Sequence, residues 1–270
     1  MKIGVNIRNL REERNLTQEQ VAEALGVTFQ AVSSWERDEY NPDTEKLVKL
    51  AELFEVSVSS IVEEKKPFKT KEAIYNWEHM KTYVKITAKH NNLRNTLKAV
   101  DYAIEAHEGQ KRKKSVIPYI YHPLNLACHA LSMDIKEDEV IAACLLHDVI
   151  EDCKRKLDDL PVNDETKELV RLLTCAKTND SNRDQIIRAY YGEIVTNPKA
   201  ALIKCMDRCN NLTTMSWGLS RDRIYRMISE TEEYYPALIK AMKETPEYNN
   251  AAWLLRYQIE SMLDIYKRLM

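Results

Sequence analysis

The stretch IAACLLHDVIED, Ile141–Asp152, constrains this chain more than any other. It begins as a helix that is apolar on every side, a pattern that belongs to a buried helix. It then sets down His147, Asp148, Glu151 and Asp152. Buried charge is costly unless it is paired or bound to a metal. On a helix His147 and Glu151 share a face, as do Asp148 and Asp152, because residues four apart are neighbours. Left alone, the two aspartates would repel, whereas a divalent cation would turn that repulsion into attraction. The segment reads as half of a metal-dependent hydrolytic site.

Candidates for the other half lie on either side. His122-Pro123 stands at the head of a helix, just after the basic cluster Lys111–Lys114. Ala201–Leu212 reads as a further apolar helix interrupted by Asp207, with Asn211 one turn on along the same face. Taken singly, Asp207 could be satisfied by Lys204 or Arg208. Together, His122, His147, Asp148 and Asp207 make a mixed nitrogen and oxygen set suited to Mn, Fe, Mg or Zn, and ligand type alone does not choose among them. His79 and His90 sit among polar neighbours without a second ligand and read as surface histidines.

The rest of the chain sets the frame. Only 5 glycines and 8 prolines in 270 residues, with abundant Leu, Ala, Glu, Lys and Arg, predict an all-α protein. That length allows two domains. No apolar run approaches the roughly 20 residues of a membrane span, and the opening residues lack the apolar core of a signal peptide. The formal net charge of −2 points to neither nucleic acid nor membrane. Six cysteines without a CxxC, mostly in apolar helical settings, suit a reducing cytosol and a cytoplasmic protein.

Residues 1–65 read as five short helices. Ile3–Glu13 is the first, and Thr17 with Gln20 forms a capping box for the second. Gly26-Val27 turns the chain, Thr28 caps a third helix through Arg37, Asp43 or Thr44 caps a fourth, and Ser57-Val58 opens a fifth. Two helices joined by a tight turn with Gly make a helix-turn-helix. LTQEQVAEALGVTFQAVSSWERDEYNPDTEKLVKLAELFEVSVSSI resembles the phage-repressor-like (XRE/Cro) DNA-binding domain over its whole length. That resemblance implies that Gln18 and Thr28 hold phosphates, that Phe29, Gln30, Ser33 and Ser34 face bases, and that Arg37 meets the backbone. The charge runs against it: residues 1–65 hold 8 basic and 13 acidic side chains, and phosphate neutralisation dominates DNA affinity. Protein contact is the other reading, and a homodimer reading a palindrome would strengthen DNA binding.

Residues 66–94 read as a connector, a Pro-containing hinge followed by a helix with Tyr75, Trp77 and Tyr83, and 95–270 as the catalytic domain. Its ordered set His122, His147-Asp148, Asp207 resembles the HD-domain metal-dependent phosphohydrolases. EAHEGQKRKKSVIPYIYHPLNLA, HDVIED and KCMDRCNNLTTM narrow the resemblance to the hydrolase domain of RelA/SpoT-type enzymes and small alarmone hydrolases, over roughly 95–240. It implies Mn bound by His122, His147, Asp148 and Asp207, with Glu151 and Asp152 orienting and activating water. It also implies that Arg112 and Lys113 meet the base or phosphates of a guanosine polyphosphate, and Asn211 and Thr214 its ribose or 3′ phosphates. The chain departs from that pattern by one inserted residue in KRKKSVIPY, by Asn210 where His is usual, and by Cys153 where Thr is common. No synthetase domain is expected. The alternatives are an HD phosphohydrolase for another nucleotide, or a regulator whose HD domain senses a nucleotide without turnover; Glu151 and Asp152 favour turnover. In the C-terminal helices, Trp217, Tyr225, Tyr234, Tyr235 and Trp253 read as core aromatics.

Overall fold

A computed structural model describes residues 3–62, 76–112, 117–178, 182–215 and 219–269. The described residues form helices, with one isolated antiparallel bridge between Lys111 and Pro118 and no strand. The chain divides into two compact units, 1–71 and 72–270. Among the described residues no helix is long and apolar enough to cross a membrane.

The first unit contains α1 (Gly4–Glu13), α2 (Gln18–Leu25), α3 (Phe29–Glu36), α4 (Thr44–Leu53) and α5 (Val58–Val62). Local chemistry sets the boundaries. Thr17 and Gln20 close the expected capping box on α2, Gly26 ends that helix at φ +65°, and Thr28 and Asp43 cap α3 and α4. Ile7, Leu10, Val21, Val32, Leu50, Phe54 and Ile61 fill the core. Gly4 lets α1 approach α3 closely: a Cβ there would lie 2.2 Å from the Trp35 carbonyl oxygen. Beneath the helix-turn-helix, Arg11 grips the buried Glu36 through two hydrogen bonds, Nε to Oε1 at 2.6 Å and Nη2 to Oε2 at 3.0 Å. Removing one partner of a buried pair costs about 3–5 kcal/mol, so this clamp fixes α1 against α3.

The second unit starts its described course at α6 (Trp77–His90). The segment expected to serve as a connector therefore contributes core: Val84 and Ala88 are fully buried with the residues of the later helices. Tyr75 and the hinge lie outside the described residues. α7 (Arg94–Ala106) has no cap of its own; Asp138 supplies one from across the fold, accepting from the backbone N–H of Asn95 at 2.7 Å and of Thr96 at 2.8 Å. α8 (Tyr121–Ser132), α9 (Asp138–Leu146), α11 (Asp164–Leu173) and α13 (Pro198–Thr214) pack around one another. α14 (Arg221–Lys243) and α15 (Asn249–Leu269) close the far side of α13.

From Val140 to Leu146 every residue of α9 is buried, as the apolar-all-round pattern requires. The helix does not run on to Asp152. It stops at Leu146, and a separate turn, α10, covers Val149–Asp152. At the break, His147 turns its Nδ1 to the Cys144 carbonyl at 2.9 Å. The C-terminal aromatics divide more sharply than their spacing suggests. Tyr235 is core, whereas Tyr225 and Trp253 are exposed, and Trp217 lies outside the described residues. On α15, Leu255, Ile259 and Leu263 carry the packing instead.

Candidate metal centre

Three buried helices deliver the site. His122 comes from the first turn of α8, His147 and Asp148 from the break after α9, and Asp207 from the middle of α13. Ligand atoms of His122, His147 and Asp207 all lie within 4.8 Å of one another. His122 Nε2 is 3.2 Å from His147 Nε2, 3.4 Å from Asp148 Oδ2 and 3.3 Å from Asp207 Oδ1. His147 Nε2 is 3.1 Å from Asp148 Oδ2.

The far sides of the rings decide what this cluster is. His147 Nδ1 donates to the Cys144 carbonyl, and His122 Nδ1 donates to Asn210 Oδ1 at 2.6 Å. A neutral imidazole whose Nδ1 carries the proton has a bare lone pair on Nε2. With both rings neutral, two such lone pairs face each other between two carboxylates, a donor set that a divalent cation would fit. Orienting a ligand histidine through its other nitrogen is the usual outer-shell arrangement of metal sites. His122, His147 and Asp207 form a group that would hold a divalent metal, with Asp148 Oδ2 beside them.

Electrostatics without the ion say the same. Burial works against charge on His147, but the Asp148 and Asp207 carboxylates outweigh it and push the imidazole up to about 9. Burial would raise the two carboxyls, yet His147 and His122 hold Asp148 below the usual range, and Lys204 with the histidines holds Asp207 well below it. The two carboxylates thus favour positive charge on His147.

A second layer fixes the ligands. Tyr119 donates its hydroxyl to Asp148 Oδ2 at 2.7 Å. Burial, and then the Asp148 and Asp152 carboxylates, push the Tyr119 phenol far up, so it stays a donor. Lys204 Nζ meets Asp207 Oδ2 at 3.0 Å, and Asn211 donates to Asp207 Oδ1 at 2.6 Å. Of the two partners open to Asp207, Lys204 takes it. Arg208 points away, to Tyr235, Tyr191 and Glu230, and ties α13 to α14.

Glu151 and Asp152 follow on α10, at the exposed rim. Glu151 Oε1 accepts from the Cys175 N–H at 2.6 Å. Burial of its carboxyl raises its pKa, partly offset by that hydrogen bond and by Lys204; contact with water moderates the rise, since the residue as a whole is exposed. The Lys111–Pro118 bridge sets Arg112 and Tyr119 at the head of α8. Arg112 bonds Asn210 Oδ1 at 3.3 Å and Thr214 Oγ1 at 2.8 Å, so Arg112 and Thr214 meet while Asn211 serves Asp207. Lys113 lies outside the described residues. The side chains that pattern reading passed over are Tyr119, within PYIYHP, and Arg183, Arg223 and Arg226. Those three arginines share a cleft of about 450 Å³ with Lys204, Asp207 and Asn211.

In the first unit, Thr28 caps α3, and Phe29 and Gln30 are exposed on it. Gln18 is held by Glu36 at 2.7 Å. Arg37 is engaged by Glu39 at 2.8 and 2.9 Å and by the hydroxyls of Ser33 and Ser34.

A linkage prediction follows from His147. Its folded value lies above the ordinary 6.5, so the stability it contributes is complete below pH 6.5 and disappears as the pH rises through about 9. The lowered carboxyls act oppositely, contributing above about pH 4 and losing their contribution as the pH falls. Calorimetry of chelator-stripped protein should show greatest stability between about pH 4 and 6.5, with a loss on the order of 3 kcal/mol by pH 9. Mn affinity should rise over the same interval, because the ion displaces the proton. A flat profile for both quantities would contradict this geometry.

Comparisons with known proteins agree with the two units. The helix-turn-helix family model matches residues 7–61, and the HD domain model matches residues 99–241, more than half of the chain. The bifunctional (p)ppGpp synthase/hydrolase SpoT of Escherichia coli K12 is 31% identical over 172 residues, which cover 61% of this chain and 24% of that protein. The guanosine-3′,5′-bis(diphosphate) 3′-pyrophosphohydrolase of Vibrio cholerae is 35% identical over 143 residues, 50% of this chain and 20% of that protein. The chain thus spans about a quarter or less of the length of these relatives. A solved structure described as a metazoan ortholog of SpoT that hydrolyzes ppGpp superposes with a TM-score of 0.51 at 21% identity. The superposition covers 64% of this chain and 96% of that one, and it shows the shared fold. The chain belongs to the HD domain family and carries a helix-turn-helix unit ahead of its HD domain.

Proposed function

We propose that the second unit is a divalent-metal-dependent phosphohydrolase that removes pyrophosphate from the 3′ position of a guanosine polyphosphate, with Mn as its ion. The observation that carries this reading is the adjacency of two features on α13. His122, His147 and Asp207, with Asp148, meet on one side of Asp207, and a cleft lined by Arg183, Lys204, Arg223 and Arg226, where Glu230 pairs with Arg183, opens beside it. A cage alone suits many reactions; a cage beside several cations suits a substrate with several phosphates. Arg223 and Arg226 are exposed and have no ion-pair partner among the described residues, so they are available to an anion. The names of the relatives supply guanosine.

A bound divalent cation supplies Lewis acidity and acidifies water. The chain supplies the rest. Lys204, Arg183, Arg223 and Arg226 hold and offset the phosphates. Arg112 and Thr214, with Lys113 and Asn211, bind the nucleoside side of the substrate. Asp152 orients the attacking water, and Glu151, its basicity raised by burial of its carboxyl, accepts the proton as oxygen bonds to phosphorus. The phosphorus bond to the 3′ oxygen breaks, that oxygen takes a proton from solvent and leaves as the 3′ hydroxyl, and Glu151 returns its proton to solvent. Tyr119 keeps Asp148 pointed inward throughout.

The first unit, we infer, reads DNA through α3, with Phe29 against a thymine methyl and Gln30, Ser33 and Ser34 toward base edges. The Arg37–Glu39 pair supports a specific expectation: the arginine must leave Glu39 to meet a phosphate. Selection from a random duplex pool should yield a site, and Glu39→Ala should tighten binding to it several-fold at low salt. Unchanged affinity would remove Arg37 from the contact set.

The hydrolase reading is tested by incubating stripped protein with guanosine tetraphosphate, with and without Mn, and measuring pyrophosphate. Release should require Mn and vanish in Asp207→Ala. Arg223→Ala with Arg226→Ala should raise KM at least about tenfold with a smaller change in kcat. Turnover that survives Asp207→Ala would overturn the reading.

A further inference from the structure

Gln110 stands where three parts of the site meet. It follows Gly109, left-handed at φ +73°, in the turn that ends α7. Its backbone carbonyl accepts from the Tyr119 N–H at 2.9 Å, within the short antiparallel pairing that also carries Arg112. Its side chain reaches the α10 turn, 42 residues away: Nε2 donates to the Asp152 carbonyl at 3.3 Å and lies 3.6 Å from Cys153 Sγ. Its third neighbour is His107, whose Nδ1 is 2.9 Å from Oε1.

The partners fix how the amide lies. A carbonyl can only accept, so the nitrogen of the amide faces Asp152 and the oxygen faces His107, whose Nδ1 then carries the ring proton. Burial pushes the His107 imidazole down, and the ring stays neutral with that one proton. The ring is also pinned: His107 is 3% exposed, packs on the Tyr119 ring at 4.8 Å between centroids, and has Cys153 Sγ 3.2 Å from Nδ1. A buried ring thus holds the Gln110 amide with its donor aimed at α10.

α10 needs such a donor. The last carbonyls of a helix have no donor within it, and a helix of four residues is too short to persist on propensity. Its inner bonds run from the Asp152 N–H to the Asp148 carbonyl at 2.9 Å and from the Cys153 N–H to the Val149 carbonyl at 3.1 Å. They hold the turn that presents Glu151 and Asp152. Resting on the hydrolase reading, we propose that Gln110 is a positioning residue: anchored by His107, it caps α10 and keeps Glu151 and Asp152 in register with the loop that carries Arg112. A substrate gripped by Arg112 then meets a water placed by Asp152. Misplacing reacting groups by about 1 Å costs on the order of a hundredfold in rate, so loss of the cap falls on the chemical step more than on binding.

The test compares the Mn-loaded full chain with Gln110→Glu, which keeps an acceptor for His107 and loses the donor, and with Gln110→Leu, which loses both. Hydrogen exchange read by mass spectrometry should quicken at the Asp152 and Cys153 amides by about tenfold or more in each variant. The Tyr119 amide, bonded to the Gln110 backbone, should exchange as in wild type, which reports a folded loop. With guanosine tetraphosphate, kcat should fall at least about tenfold while KM stays within about threefold. Unchanged exchange at Asp152 and Cys153 in both variants would overturn the proposal. So would a raised KM at wild-type kcat, or exchange that quickens equally at Tyr119. Wild-type protein that binds Mn and releases no pyrophosphate would sink the hydrolase reading instead, leaving the exchange rates to decide whether Gln110 caps α10.

Discussion

Two imidazole nitrogens held 3.2 Å apart with their lone pairs facing each other are the constraint on which the second unit depends. Neither ring is free to relieve the conflict by exchanging tautomers, because the Cys144 carbonyl and Asn210 Oδ1 each claim the proton of the opposite nitrogen. The conflict is resolved by positive charge. The carboxylates favour a proton on His147, and a divalent cation would supply the same charge, held by His122, His147, Asp148 and Asp207. Structure and ionisation are thus two views of one requirement.

The surrounding fold keeps that requirement from relaxing. α9 is buried on every side, so its end cannot shift without disturbing much of the core. α13 is locked from behind by the Arg208 network with Tyr191, Tyr235 and Glu230. Each carboxylate has an outer partner, Tyr119 for Asp148 and Lys204 with Asn211 for Asp207. Lys204 has a double position, since its ammonium pairs with Asp207 and also lines the cleft with Arg183, Arg223 and Arg226. It therefore connects ligand geometry to the charge of whatever anion enters.

Much of this was legible in the sequence because the signals were local or chemically exclusive. Thr17 with Gln20, Thr28 and Asp43 announce helix starts through hydrogen bonds that span three residues, and Gly26 announces an end. An apolar helix such as α9 has one place to go. That His122, His147, Asp148 and Asp207 lie together was expected from the resemblance of their order to the HD-domain pattern, with the cost of burying charge as its physical side. What stayed hidden depends on pairings far apart in the chain. Nothing near Asp207 says that Lys204 takes it while Arg208 turns away, and nothing near Arg223 says that it shares a cleft with Arg183. Asn210 could be read as a departure from a pattern, but its hold on His122 appears only when α8 lies against α13. Within 66–94, α6 looked like part of a connector because its polar residues outnumber the two, Val84 and Ala88, that it buries.

The account stands most directly on the identity of the atoms around the ion. X-ray absorption spectroscopy of the Mn-loaded full chain reads them without reference to any substrate. The expected spectrum shows imidazole scattering from His122 and His147 together with oxygen neighbours, and it loses part of the imidazole signal in His122→Ala. A shell of oxygen alone, or a chain that takes up no divalent ion at all, would contradict the claim that these facing nitrogens exist to hold a metal.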